Sequence, residues 1–407
     1  MERVALTIAV VTYAGVAIGG IPGLALDRTG IALLGAIAMV ASGELSTSEA
    51  VMSIDVPTVL LLYALMVVSS QFRLGGFYTW VAVRTTGFMN KPERFLLALM
   101  TVSAALSAIF MNDVVCLAFA PVLTVGVLNA GRNPVPFLIG LAVSSNIGSA
   151  ATIIGNPQNM LIGQLGRLDF GRFLLWCTPP AVLSLVAAYL ILKTLYRKDF
   201  SADAVPGKRM DDSWPSFNRH QSGKGIVAAI LLIGLFFTSI PREVSAIGIA
   251  GILLCSRSMH TRSLLGLVDW HLITLFCGLF IVIRGLEASG VPLVILETFA
   301  ARGIDIRNPF ALTAISFILS NIVSNVPATM LLTKFLDPAN HLQWYVLALS
   351  STFAGNLITI GSIANLITFE QARGFGVVVG FREHAKVGIP VTLASFIIAV
   401  SWLTFFS

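Results

Sequence analysis

The sequence predicts an all-α integral membrane protein made of two inverted-topology repeats, with about ten transmembrane helices, two re-entrant hairpins and two broken helices. Three observations lead there. Only 11% of the residues are charged, against about 25% in a typical soluble domain, and apolar runs long enough to cross a bilayer recur from end to end. Deep in this apolar chain lies a polar stretch broken by Gly and Pro, Ser144 to Asn159, reading SSNIGSAATIIGNPQN. A related stretch returns at Ser350 to Asn365, SSTFAGNLITIGSIAN, with Gly155 matched by Gly361 and Asn159 by Asn365. Backbone in lipid must satisfy its own hydrogen bonds, so such segments survive only inside protein or beside a water-filled cavity. Two of them at matching places point to a transporter's binding site.

Composition narrows the class further. The chain is 56% hydrophobic, with a mean hydropathy of +0.87. A net charge of +6 calls for no nucleic-acid partner, because basic residues collect in cytoplasmic loops of membrane proteins. Residues 1–20 are apolar but carry no clear cleavage site, so no cleavable signal peptide is expected. Cys116, Cys177, Cys255 and Cys277 are scattered without metal or redox spacing, which leaves packing as their role. No Walker loop, HExxH or nucleophile elbow is present, so no enzyme, metal site or resident cofactor is expected. Energy for transport would come from a proton or sodium gradient, or from a separate ATPase subunit.

In chain order, apolar runs occupy Val4–Gly20 and Thr29–Ser42. An acidic connector with Glu44, Glu49 and Asp55 leads into a run from Val56 to Ser70. Arg73 to Arg94 carries Phe77, Tyr78 and Trp80 among bases, suited to headgroup level. Phe95 to Gly126 is interrupted at Met111-Asn112-Asp113. Arms of about 14 residues would cover only some 20 Å of a roughly 30 Å hydrocarbon core, so a re-entrant hairpin fits. Pro134 to Leu165 holds the first broken helix, and Phe173 to Tyr196 closes the first repeat, 1–196. Residues 197–223 read as a polar cytoplasmic linker, and 224–407 as the second repeat.

The halves keep register. Asp269 stands against Asp55 at an offset of 214, and Leu319–Asn325 against Leu106–Asn112 at 213. The broken helices are offset by 206, and Arg382…Pro390 from Arg172…Pro180 by 210. Chance similarity of apolar segments would not hold register this way. Five crossings and one hairpin per half form an odd number, which turns the second copy upside down. With the linker inside, 18 of the 26 Lys and Arg fall on the inner side, as the positive-inside rule requires.

Asn112 and Asn325 occupy the two hairpin tips. Buried Asn can be interhelical glue, or it can hold a solute or ion; matched places beside two broken helices favour contact. The expected substrate-contacting set is Asn112, Asn146, Gly155, Asn156, Asn159, Asn325, Thr329, Gly361, Ser362 and Asn365. Asp113 has no acidic counterpart, Val326 standing in its place. A carboxylate at bilayer depth suggests ion coupling, by proton or sodium, with a helix cap as the alternative. Cys116, three residues on, would face the same side of a helix. Arg284 and Glu287 are spaced to pair, and Lys334 to snorkel.

These residues resemble the ion-transporter superfamily, which includes arsenite-efflux permeases, sodium/proton antiporters, plant silicon-efflux carriers and sodium-coupled dicarboxylate and citrate carriers. Asn112-Asp113-Val114-Val115-Cys116-Leu117…Pro121 resembles its N-D-x-x-x-L-x-x-x-P element, and Gly155-Asn156-Pro157-Gln158-Asn159 its G-x-P-x-N turn. Asn325-Val326-Pro327-Ala328-Thr329 and Ile360-Gly361-Ser362-Ile363-Ala364-Asn365 resemble the second-half elements. The resemblance implies inverted repeats, an elevator-like motion against a scaffold, often in a homodimer, and a multi-pass place in the inner (plasma) membrane. It leans towards the arsenite-permease and antiporter branch. Dicarboxylate carriers show Ser-Asn-Thr at both tips, whereas these tips read Met-Asn-Asp and Ser-Asn-Val. The expected cargo is a small anion or oxyacid, arsenite or antimonite foremost. A sodium/proton antiporter, a sodium-coupled di- or tricarboxylate carrier and a passive channel remain as alternatives.

Overall fold

The computed structural model describes residues 2–20, 23–201, 214, 216–256, 259–303 and 305–405. The protein is 78% helical, and no strand occurs among the described residues. It opens with α1 (Glu2–Ile18), α2 (Arg28–Ala41), α3 (Thr47–Met52), α4 (Val56–Leu74) and α5 (Phe77–Thr86). Then come α6 (Pro92–Ile109), α7 (Asn112–Asn129), α8 (Val135–Ser149), α9 (Pro157–Leu165) and α10 (Phe170–Leu195). After a short α11 (Arg197–Ser201) come α12 (Arg219–Phe236), α13 (Arg242–Leu254), α14 (Thr261–Leu265), α15 (Trp270–Ala288) and α16 (Val291–Ala301). The chain closes with α17 (Pro309–Val323), α18 (Asn325–Leu332), α19 (His341–Ala354), α20 (Ile363–Arg373) and α21 (Phe381–Thr404).

Among the described residues six helices, α4, α6, α7, α10, α15 and α21, are long and apolar enough to cross a membrane. Four more apolar helices, near α1, α2, α8 and α17, are shorter. Charged groups cap and end the elements where the sequence places them. Asp55 and Asp269 accept from the backbone of Thr58 and Leu272, each at 2.9 Å, and so start α4 and α15. Ser46 and Glu49 form a capping box on α3, whose hydrogen bonds hold the Glu49 carboxyl below its usual range.

Packing follows matched positions. Helix α2 lies on α15 and α4 on α13. The buried face of α2 is Ile31, Ala32, Gly35, Ala36 and Met39. Each lies 214 residues before a buried residue of α13: Ser245, Ala246, Ile249, Ala250 and Leu253. Helix α6 packs on α8 and α17 on α19. Ser103 bonds Ser144 across the first pair at 2.6 Å, and Ser350 bonds Ser316 across the second at 3.0 Å. The hydroxyl pairs therefore repeat at the offsets of 213 and 206 read from the sequence.

The helix breaks have a local cause. Helix α6 ends where Phe110 turns extended (φ −119°, ψ 160°), and α7 restarts at Asn112. Each of these arms holds 18 residues, more than the 14 the sequence suggests, because Pro92–Arg94 begin α6 and α7 runs on to Asn129. Between α8 and α9, Asn159 Nδ2 donates to Ser149 O (3.3 Å) and Thr152 O (3.0 Å). Between α19 and α20, Asn365 Nδ2 donates to Gly355 O (2.9 Å) and Ile358 O (3.3 Å). The same amide, 206 residues apart, satisfies carbonyls that the broken helix leaves without an intrahelical donor.

Within the predicted linker, residues 202–213 and 215 lie outside the described residues. Its start forms α11 and its end opens α12. There Asn218 N donates to Gly75 O at 3.0 Å and Gln71 Nε2 to Gln221 Oε1 at 2.9 Å, tying α12 to the end of α4.

Candidate functional site

Asn146, in the last turns of α8, is the hub of a buried amide network. Its Oδ1 accepts from Asn112 Nδ2 at 3.0 Å and from Ser362 Oγ at 2.9 Å. Its Nδ2 donates to Asn356 Oδ1 at 3.0 Å and Asn365 Oδ1 at 3.3 Å. One side chain thus links the start of α7, the second helix break and the start of α20. Asn112 is held further by its own backbone: its N donates to Gly155 O at 3.0 Å, and its carbonyl accepts from Ser145 Oγ at 3.1 Å. A Cβ on Gly155 would stand 2.3 Å from Ser149 O, so only glycine brings that carbonyl to Asn112.

The second half builds a similar junction. Oriented to donate, the Asn325 amide reaches Ser351 O at 3.1 Å and Gly361 O at 3.2 Å. Ser324, just before it, holds φ +75°, a left-handed turn that is strained for a non-glycine residue and aims α18 at the break. Thr329 lies one turn along α18, fully buried. The N-termini of α7, α9, α18 and α20 begin at Asn112, Pro157, Asn325 and Ile363, the residues that bound this region. Each carries the partial positive charge of a helix N-terminus.

The predicted residues fall into three groups. Asn112, Asn146, Gly155, Ser362 and Asn365 meet in one network, and Asn325 with Gly361 forms the adjacent junction. Asn156 and Asn159 are largely engaged in holding the first break. Asn156 Oδ1 caps Asn159 N at 2.9 Å, and its Nδ2 donates to Ser149 Oγ at 2.9 Å. Asp113 stands apart. It lines a separate cavity of about 80 Å³ with Ser69, Ser70, Arg73 and Asp269, and makes no hydrogen bond among the described residues. The N-cap of α7 is Met111, with no side-chain bond, so Asp113 does not cap the helix by a hydrogen bond. Cys116, three residues on, is fully buried and does not line the Asp113 cavity.

Several buried polar atoms remain unpaired. Asn112 Oδ1, Asn159 Oδ1, Thr329 Oγ1 and Asn356 Nδ2 have no hydrogen-bond partner among the described residues. Leaving such a group unsatisfied costs about 1–3 kcal/mol, so a bound polar solute that pairs with it is favoured. Asn356 escaped the repeat comparison because its first-half counterpart is Ala150. His384 of α21 also escaped it: its ring nitrogen Nε2 lies 3.1 Å from Asn356 O, behind the network. A His among the charged residues Arg382, Glu383 and Lys386 reads as part of a polar helix start and gives no sequence signal.

Residues 13–354 match the family model described as "Citrate transporter". The chain belongs to the citrate transporter family. This family lies within the ion-transporter superfamily that the hairpin and turn motifs point to. A "46 kDa membrane protein" of Mycobacterium leprae is 29% identical over 99% of this chain and 98% of its own. The "Silicon efflux transporter LSI3" of Oryza sativa is 29% identical over 92% of this chain and 91% of its own. The "Putative transporter arsB" of Dictyostelium discoideum is 22% identical over 93% of this chain and 87% of its own. Among solved structures, the YdaH transporter of Alcanivorax borkumensis shares the fold, with a TM-score of 0.61 at 14% identity over 100% of this chain and 98% of that one. This citrate transporter family member is therefore a multi-pass membrane transporter and not an enzyme.

Proposed function

We propose that the protein is a secondary active transporter of a small anion or oxyacid, driven by a proton or sodium gradient, with arsenite- or antimonite-type efflux the leading activity. One observation carries this reading: a buried Asn network with unpaired amide atoms lies where α7, α9, α18 and α20 begin. Converging helix N-termini favour an anionic or strongly polar solute. Amide groups both donate and accept, which suits an oxyacid that carries hydroxyls. The relatives named for silicon efflux and as an arsB transporter support an oxyacid. The family's description favours a second reading, a sodium-coupled tricarboxylate carrier. Proteoliposome uptake of arsenite, silicate, citrate and succinate under imposed proton or sodium gradients decides between them. Accumulation of arsenite or silicate is the expected result. Citrate accumulation instead establishes the second reading, and equilibration without accumulation a passive channel.

The proposed architecture is ten crossings and two re-entrant hairpins in two inverted repeats, working in a bilayer and as a homodimer. The repeated offsets in caps, helix faces and hydroxyl pairs support it. Coupling is assigned to Asp113, and the gradient takes the place of a separate ATPase subunit. With an odd number of crossings per repeat, the 197–223 linker should face the cytoplasm and the loop around Arg302 the outside. Single cysteines at the two places should be labelled by an impermeant maleimide from opposite sides. Labelling of both from one side would overturn the inverted arrangement.

A further inference from the structure

At one end of the molecule Arg242, the first residue of α13, clasps the far end of α9. Its Nη1 donates to Leu168 O at 2.6 Å, and its Nη2 donates to Gly163 O and to Gln164 Oε1. Gln164 Nε2 in turn donates to Glu243 Oε2 at 2.9 Å. A guanidinium here satisfies carbonyls at a helix C-terminus and meets the negative end of its dipole. The clasp joins a helix that packs on α4 to a half-helix of the site-bearing region.

The register between the halves names the mates of this clasp. Arg242 corresponds to Arg28, the first residue of α2, at the offset of 214. Gly163, Gln164 and Leu168 correspond to Phe369, Glu370 and Gly374 at the offset of 206. Those mates are not joined. Among the described residues Arg28 makes no hydrogen bond or ion pair with α20. Glu370 instead pairs at 3.7 Å with Arg373, both side chains being mostly exposed (73% and 66%). Exposed pairs of this kind contribute little and exchange partners readily.

A second asymmetry agrees in direction. Asp55 shares a cleft of about 690 Å³ with Gln164 and Leu165. Its mate Asp269 shares the smaller cavity with Ile367, whose own mate is Leu161. The α20 residue that lines the cavity with its aspartate is thus matched to a position about one helical turn nearer the N-terminus than those α9 places in its cleft.

We infer that Arg242 and Arg28 are the two ends of an alternating latch, of which the structure holds one state. In the opposite state Arg28 clasps the end of α20 through Phe369 O, Gly374 O and the Glu370 carboxylate, while Arg242 releases α9. This rests on the inverted-repeat reading, since only repeats of opposite orientation make the two clasps mates across the membrane. A carboxylate at 370 against an amide at 164 gives the second clasp an ion pair that the first lacks, so the two states are held by unequal bonds.

Disulfide trapping tests this in the full-length protein carrying Cys255→Ser and Cys277→Ala, with the fully buried Cys116 and Cys177 left in place. One pair is Gln164→Cys with Glu243→Cys; the other is Thr29→Cys with Glu370→Cys. Both pairs should cross-link in reconstituted protein, each cross-link should stop uptake, and reductant should restore it. Adding Arg242→Gln should raise the yield of the 29–370 bridge relative to 164–243 by about tenfold, the scale of one charge-assisted hydrogen bond. Arg28→Gln should shift the ratio the other way. Opposite shifts from two equivalent substitutions cannot come from general loss of folding. A 29–370 pair that never bridges in protein that transports, or shifts of the same sign, would overturn the latch. If the linker and the Arg302 loop still label from opposite sides, the inverted repeat stands and only the latch is lost.

Discussion

Asn146→Ala should lower uptake at sub-saturating solute by about 100-fold. The substitution deletes four hydrogen bonds of 2.9–3.3 Å and leaves Asn112, Asn356, Ser362 and Asn365 without their shared partner. Each orphaned buried group costs about 1–3 kcal/mol, and two of them at about 1.4 kcal/mol each amount to two powers of ten. The loss should fall on transport and not on folding. Residue 146 is enclosed by α7, α8 and α20, which also pack through Ile147, Val115 and Ala364. The contrasting variant is Asn156→Ala, whose side chain mainly caps α9 and should cost about 1 kcal/mol of stability with a smaller change in uptake. Initial rates in proteoliposomes, set beside thermal unfolding in detergent, separate the two. An Asn146→Ala protein that folds and transports normally would make the network interhelical glue.

Much of this site was legible in the sequence for one physical reason: polar residues are costly in an apolar chain, so each one marks a place where partners exist. Asn112, Asn159, Asn325 and Asn365 could be paired by register alone, and the amides of Asn159 and Asn365 do hold equivalent carbonyls. The two helix-starting aspartates, Asp55 and Asp269, were legible in the same way. Direction was not. Asn112 joins the amide network while its neighbour Asp113 lines the cavity beside Arg73, because adjacent helical positions lie about 100° apart. Asn356 and His384 were hidden because neither has a polar mate in the other half, so only the folded contacts reveal them. The clasp made by Arg242 was hidden too, since an arginine before an apolar run reads as an ordinary helix flank.

Asp113→Asn should abolish gradient-driven accumulation while leaving counterflow between equal solute pools. The carboxylate lies in the first turn of α7, partly exposed to a cavity that also holds Ser69, Ser70, Arg73 and Asp269. That cavity can take a few waters or one ion. Asp113 is the sole carboxylate at either helix break, and the matching position is Val326. An amide has nearly the same shape but neither exchanges a proton nor ligates sodium as a carboxylate does. Because Asp113 makes no capping hydrogen bond, removing its charge forfeits at most its attraction to the α7 dipole, about 0.3–1 kcal/mol, too little to unfold the protein. The solute network is anchored through Asn112, Asn146 and Gly155, none of which hydrogen-bonds the Asp113 side chain among the described residues, so exchange of solute should continue. Accumulation under an imposed proton or sodium gradient, measured beside counterflow in the same vesicles, reads the two apart. A variant that concentrates solute as well as the parent would move the coupling site away from α7.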